Sequence, residues 1–285
     1  MFYGLLIMFI VIISYILYKG YKNTQDVAVN YMKLGNPSSH SPTIRILHVS
    51  DMHLENISIT PDQLYKKISD KQVDLIALTG DFLDRKWTIP KLIPYLNILK
   101  KLQPTYGAYV VFGNHDYVLR ERNFKKLKEV FHEHGFKTLQ NEREMIKVNG
   151  KAVNIIGIDD FSTGRSDLVK SYQNVGEGYH LVLTHDPNIV LHMAEHRFDY
   201  LLSGHFHGGQ IHWPKPYHLV KMGKLARMKM VKGLHHFRGA PFYISEGLGQ
   251  TGINIRFGSQ PEITYHDILL DDVVKKEAGE ATIAG

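Results

Sequence analysis

The chain has 285 residues, no cysteine and a net charge of +6, and 44 % of it is hydrophobic. That composition is ordinary for a globular protein, and it excludes a disulfide scaffold or a metal site built on thiolate. The basic balance suits partners that carry phosphate, whether anionic lipid or nucleic acid. In chain order, Phe2 to Tyr18 comes first, an uncharged apolar run at the ~17-residue lower limit for a spanning helix. No Lys or Arg precedes it and no Ala-x-Ala follows, so it reads as an uncleaved anchor rather than a signal peptide. Lys19 and Lys22 flank only its C-terminal end. The positive-inside rule then makes the protein a single-pass cell-membrane protein with its main domain in the cytoplasm. Residues 1–22 are thus assigned to a transmembrane anchor, 23–42 to a linker containing Asn36-Pro37-Ser38-Ser39, 43–270 to one domain and 271–285 to a disordered tail.

Within the domain, short apolar runs bounded by turn residues predict buried strands. Five of these runs end in metal-type ligands. Ile44 to Val49 leads into Asp51-Met52-His53, and Leu75 to Leu78 into Gly80-Asp81. Tyr109 to Phe112 leads into Gly113-Asn114-His115-Asp116, Leu181 to Leu183 into His185, and Tyr200 to Leu202 into Gly204-His205-Phe206-His207. Open sheets place ligand chemistry at the carboxyl ends of their strands. Between the strands, Thr60-Pro61-Asp62-Gln63 is a capping box with Pro at the first helical position. Leu64 and Ile68 share the face of that helix. Phe124, Leu127 and Phe131 repeat at helical spacing and stop at Gly135, a good C-terminal cap. Further strands are predicted at Glu144–Val148, Ala152–Ile158, Phe242–Ser245 and Glu262–Ile268. Gly80, Gly113 and Gly204 stand directly before ligands, where a sharp turn calls for positive φ.

The candidate ligands are Asp51, His53, Asp81, Asn114, His185, His205 and His207. They are too many for one tetrahedral ion and suit two ions of higher coordination. Imidazole with carboxylate favours Mn, Zn or Fe over Ca or Mg. Two such ions roughly 3.5–4 Å apart serve in-line attack at phosphorus by metal-activated hydroxide. Two close cations need an anion between them, and Asp81 is the candidate bridge. Individually each motif has a plainer reading: Asn114 and Asp116 as helix caps, Gly80-Asp81 as a turn, His185 as the start of a helix at Asp186-Pro187. Jointly these readings fail. His132 and His134 read as a solvated helix face, His235 and His236 as surface, and His212 as a weaker candidate for lining the site.

The chain resembles the calcineurin-like metallophosphoesterases in Asp51-x-His53, Gly80-Asp81, Gly113-Asn114-His115-Asp116, His185 and Gly204-His205-x-His207, in that order. Gly208-Gly209-Gln210, Gly247-Leu248-Gly249, Arg256-Phe257 and Pro261-Glu262-Ile263 are similar to the bacterial membrane-associated subgroup called YkuE-like or YaeI-like. The resemblance implies a four-layer αββα sandwich. It implies Asp51, His53, Asp81 and His207 around one ion, and Asp81, Asn114, His185 and His205 around the other. His115 becomes the catalytic non-ligand histidine beside the phosphate, and Asp116 its orienting partner. The implied substrate is a phosphodiester or pyrophosphate, lipid-linked esters included, and the implied partners are that substrate and a lipid surface. The subgroup includes exported proteins, which leaves the side of the membrane open. A nucleic-acid or nucleotide phosphodiesterase is the alternative, carried by Lys221, Lys224, Arg227, Lys229 and Lys232; it is not favoured, because the same strip suits anionic headgroups. A non-catalytic metal-binding scaffold is disfavoured, because every ligand is present.

Overall fold

Period-two alternation sorts the central strands between two cores. In β2 (Thr43–Val49), Ile44 and Ile46 face one core while Leu47 and Val49 face another. The computed structural model describes residues 2–35, 41–212, 216, 219 and 221–270. Among them, two six-stranded sheets pack face to face. The first sheet runs β1 (Ala28–Leu34), β12 (Glu262–Leu269), β2, β3 (Leu75–Thr79), β4 (Ala108–Val111) and β5 (Phe136–Thr138). The second runs β10 (Gly233–Phe237), β11 (Ala240–Ile244), β9 (Tyr200–Ser203), β8 (Tyr179–Leu183), β7 (Lys151–Gly157) and β6 (Glu142–Val148). The middle core lies between the sheets, with Ile44, Ile46, Leu75 and Tyr109 against Ile155, Leu181, Tyr200 and Leu202.

Helices α2 (Pro61–Ile68), α3 (Ile89–Lys100) and α4 (Glu121–Glu133) cover the outer face of the first sheet through Leu64, Ile68, Leu92, Leu96, Leu127 and Phe131. The outer face of the second sheet carries thinner cover: α5 (Leu168–Ser171), α6 (Lys224–Arg227) and the 3-10 turn Pro187–His192. The order helix, sheet, sheet, helix is the expected αββα sandwich. The capping box forms, with Thr60 Oγ1 accepting from Gln63 N at 3.2 Å and Gln63 Oε1 from Thr60 N at 2.9 Å. Gly135 ends α4 at φ +84°.

The chain departs from the sequence reading before residue 43. β1 lies inside the stretch assigned to a linker, and it pairs in parallel with β12 from Ala28↔Glu262 to Leu34↔Ile268. Its residues are half-exposed, so they lack the apolar run of a central strand, yet β12 supplies their backbone partners. The Asn36–Ser39 part of the linker assignment and the tail at 271–285 lie outside the described residues. β10 was likewise not expected; its Leu-His-His-Phe run pairs with β11.

Deleting residues 1–18 is therefore expected to leave the melting temperature of the domain unchanged, whereas deleting 1–40 removes β1 and uncovers β12. Each kcal/mol lost moves the melting point by about 2–4 °C in a domain of this size. Scanning calorimetry of the two truncations measures the difference, and equal melting points would show β1 to be a passive strap.

Candidate metal centre

Every predicted ligand sits where the chain leaves a sheet, and at five of the seven the backbone is strained. Asp51, His53, Asp81, His205 and His207 have φ of 49°, 37°, 54°, 77° and 49°. Non-glycine residues avoid this region, and such strain collects at functional sites. The glycines act differently from expectation at two of three positions. Only Gly80 has positive φ, at +85°. Gly113 and Gly204 are required for room: a Cβ would overlap Asp81 and His185 at the first, and Asp51 and Ser50 at the second.

Backbone bonds stitch the loops into one cup. Asp51 N donates to Gly80 O and His53 N to Asp81 O, each at 3.0 Å, and Gly249 N donates to Asp51 O at 2.7 Å. His205 N donates to Asp51 Oδ1 at 3.1 Å, and His115 N to Asp81 Oδ1 at 2.8 Å.

The side chains converge in two groups. His207 Nε2 lies 3.1 Å from His53 Nε2 and 3.4 Å from Asp51 Oδ1. His205 Nδ1 lies 3.1 Å from His185 Nε2. Asp81 joins the groups: its Oδ2 is 3.5 Å from His53 Nε2 and 3.1 Å from His185 Nε2. His185 Nδ1 bonds Thr79 O at 2.8 Å, which fixes the proton there and turns Nε2 into the cup, a usual orienting device for a metal-binding histidine. Asn114 Oδ1 is buried without a hydrogen-bond partner. It lines a cleft of about 60 Å³ with Asp81, His115, His205 and His207. A buried orphan acceptor beside carboxylates and imidazoles fits a divalent cation.

Electrostatics prepare the same chemistry. Burial pushes the His53 imidazole down to about 3 and holds His207 well below the ordinary histidine value. Burial, then His185, lowers His205. These rings are therefore neutral, as ligation requires. Burial also pulls His185 down, but Asp81 and Asp51 outweigh it and hold it well above the ordinary value. Burial raises Asp81, yet His185 and His53 bring it well below a usual carboxylate. Burial leaves Asp51 raised to about 6.

Asp116 has a different place from the one expected. Its carboxylate accepts from Asp81 N, Phe82 N and Gly113 N, each at 2.9 Å, and from Leu83 N at 3.3 Å. It braces the loops that carry Asp81 and Asn114. The carboxylate that faces His115 is Asp84, with Oδ2 3.8 Å from Nδ1. The sequence signal was present, since Asp84 follows Asp81 by one loop turn. The resemblance implies Asp116 as the orienting partner, but Asp116 is buried at the start of the 3-10 turn Asp116–Val118, with its carboxylate on the backbone amides of the neighbouring loops.

The other histidines fall away from the centre. His132 and His134 bond Thr138 and Val130 at the end of α4, and His212 bonds Gly208 O. Beside the cleft, sharing His205 and Met222 with it, lies a cavity of about 590 Å³. Phe161, Leu191 and Met222 give it apolar walls, and Lys221 and Lys224 a basic rim.

Two packed sheets with buried Asp and His ligands at strand ends define a metal-dependent hydrolase. The signature of the calcineurin-like phosphoesterases matches residues 44–209. The chain is similar to the uncharacterized metallophosphoesterase YkoQ of Bacillus subtilis (strain 168), at 61 % identity over 272 residues, covering 94 % of this chain and 100 % of that protein. It is 28 % identical to the UDP-2,3-diacylglucosamine pyrophosphatase LpxG of Chlamydia trachomatis serovar D, covering 79 % of this chain and 83 % of LpxG. It is 26 % identical to the phosphodiesterase YaeI of Escherichia coli (strain K12), covering 79 % and 82 %. The chain belongs to the calcineurin-like phosphoesterase family and is a metal-dependent phosphoesterase.

Proposed function

We propose that this phosphoesterase is anchored in the membrane and hydrolyses a phosphodiester or pyrophosphate, a lipid-linked ester foremost, with two divalent ions of the Mn, Zn or Fe kind. The observation that carries the reading is the geometry: the Asp81 carboxylate lies between the His53–His207 and His185–His205 groups, with the orphan Asn114 oxygen beside it. Asp51, His53, Asp81 and His207 would hold one ion, and Asp81, Asn114, His185 and His205 the other. When bound, the pair supplies Lewis acidity at the phosphoryl oxygens and a water acidic enough to attack. His115 lines the cleft and has a ring nitrogen within 4.8 Å of ligand atoms of His53 and Asp81; we assign it to the reacting phosphate and not to an ion. It gives its proton to the leaving oxygen as the P–O bond breaks, while the oxygen of water forms the new bond to phosphorus. Asp84, 3.8 Å from His115 Nδ1 and not hydrogen-bonded to it, is the acid we assign to orient the ring.

The names of LpxG and YaeI support pyrophosphate and diester substrates over simple monoesters. The half-apolar cavity beside His205 has the volume for a substituent on the far side of the phosphate. α1 (Phe2–Asn23) is long and apolar enough to cross a membrane, and none of its apolar window is buried; the charge asymmetry of Lys19 and Lys22 favours a cytoplasmic domain. A nucleic-acid substrate is less well supported. The basic residues do not form one strip: Lys221 and Lys224 rim the cavity, while Lys232 is paired with Glu246 at 3.0 Å.

Purified protein loaded with Mn, Zn or Fe in turn tests this. An aryl phosphodiester is expected to turn over faster than the matching monoester, with about two ions per chain by elemental analysis. A faster monoester, or one ion at full activity, would overturn the reading.

A further inference from the structure

α1 is exposed along its length except at Gly20, which is buried, and Asn23, which is half-buried. At Gly20 the Phe257 ring closes on the helix so tightly that a Cβ would meet Phe257 Cε2 at 2.6 Å. Arg256 N donates to Gly20 O at 3.0 Å, and Asn23 Nδ2 donates to Arg256 O at 2.8 Å. The chain stays fastened beyond the helix. Thr24 is fully buried and shares a 2.7 Å bond with Ser58, and Val27 enters the core just before β1 begins. The last turn of the apolar helix is thus fastened to the domain.

The segment that grips α1 also shapes the metal centre. The Arg256 side chain is completely buried. Its guanidinium donates to His207 O at 3.4 Å, Gly247 O at 3.1 Å and Gly249 O at 2.6 Å. Phe257 N donates to Gln210 O at 2.9 Å. Gln210 Nε2 in turn donates to Thr251 O and Ile253 O, each at 2.9 Å. Thr251 lines the cleft beside Asp81. Ile253, two residues on, is 65 % exposed. Tyr15, Tyr18 and Tyr21 with Lys19 and Lys22 mark the level of the lipid headgroups on α1, as aromatic and basic residues do at the ends of spanning helices. Gly20 lies at that level, and the loop docked on it does too.

We infer that the last turn of α1 and the 251–257 loop form one membrane-apposed face. Ile253 dips into the headgroup layer, and the cleft opens beside it onto the bilayer surface. The substrate is then a phosphoester carried by a lipid in that surface. This rests on the proposed anchoring and phosphoester hydrolysis, and it adds that the anchor sets the pose of the site and does more than tether it.

The test uses the full chain in vesicles of phosphatidylcholine and phosphatidylglycerol. A flexible Gly/Ser insertion of about 12 residues between Tyr18 and Lys19 leaves the docked turn in place and gives the span a slack of roughly 20 Å. Ile253→Cys offers a single labelling position, because the chain has no cysteine. An environment-sensitive fluorophore there is expected to shift blue on reconstitution and to lose that shift in the insertion variant. Turnover of a soluble aryl diester is expected to stay within about twofold, while that of a vesicle-borne lipid diester falls by at least about tenfold. A water-like label in the parent background, or vesicle turnover unchanged by the insertion, overturns the inference. If the parent cleaves no soluble diester, the hydrolytic reading fails, and the label alone decides the pose.

Discussion

Asp81→Asn is expected to strip both ions from the protein and to lower turnover by more than about 10⁴-fold, because Lewis acidity and the activated water disappear together. The geometry singles this residue out. Its Oδ2 faces an imidazole of each group, at 3.5 Å from His53 and 3.1 Å from His185. No other described carboxylate has this relation to both. Asparagine keeps the volume and keeps an oxygen for the His115 N–H, so the loop retains its shape. It removes the charge that would separate two cations. Elemental analysis after dialysis reads the result directly. Loss of one ion with the other kept tight would assign Asp81 to a single site, and two retained ions would reject the bridging role altogether. Circular dichroism and melting of the metal-free protein control for misfolding, since Asp81 is buried and both histidines lean on it.

The cluster of Asp, Asn and His side chains was legible in the sequence because its members follow strand ends. A buried strand must be apolar along its run, so the abrupt change to Asp, Asn or His at residues 51, 81, 114, 185 and 205 stands out. The sheet order then brings together residues far apart in the chain. Other features carry no such contrast. β1 is an edge strand held by backbone bonds to β12, and Ala-Val-Asn-Tyr-Met-Lys-Leu shows no strong alternation to announce it. The grip of Phe257 on Gly20 joins residues with no shared pattern. Gly20 sits among polar residues just past an apolar run and reads as filler. Its need for a bare Cα appears only when the aromatic ring is in place. Arg256 could be quoted as part of a motif, but its partners are main-chain carbonyls of distant loops. Backbone groups are identical in every residue, so sequence alone does not name them.

His115 tells Asp84 and Asp116 apart as orienting acids. His115→Ala is expected to keep both ions and to lower turnover by roughly 10²–10⁴, the worth of a positioned acid–base group. Its ring meets the His53 ring at 4.7 Å between centroids, and its nitrogen lies within 4.8 Å of ligand atoms of His53 and Asp81, so metal content is the readout that separates an acid from a ligand. Asp84→Asn removes the carboxylate 3.8 Å from His115 Nδ1. If Asp84 works through that ring, its substitution lowers turnover in the parent and changes nothing further in the His115→Ala background, since a double-mutant cycle isolates the coupling. Asp116→Asn should behave otherwise. It weakens acceptors for four backbone amides and adds a donor group among them. The expected cost is ~1–3 kcal/mol of stability, with loosened metal binding, because Asp81 and Gly113 are among the residues it braces. That loss should persist in full when His115 is already alanine. Full additivity of Asp84→Asn with His115→Ala, together with no additivity for Asp116→Asn, would restore Asp116 as the orienting acid and remove Asp84 from the reaction.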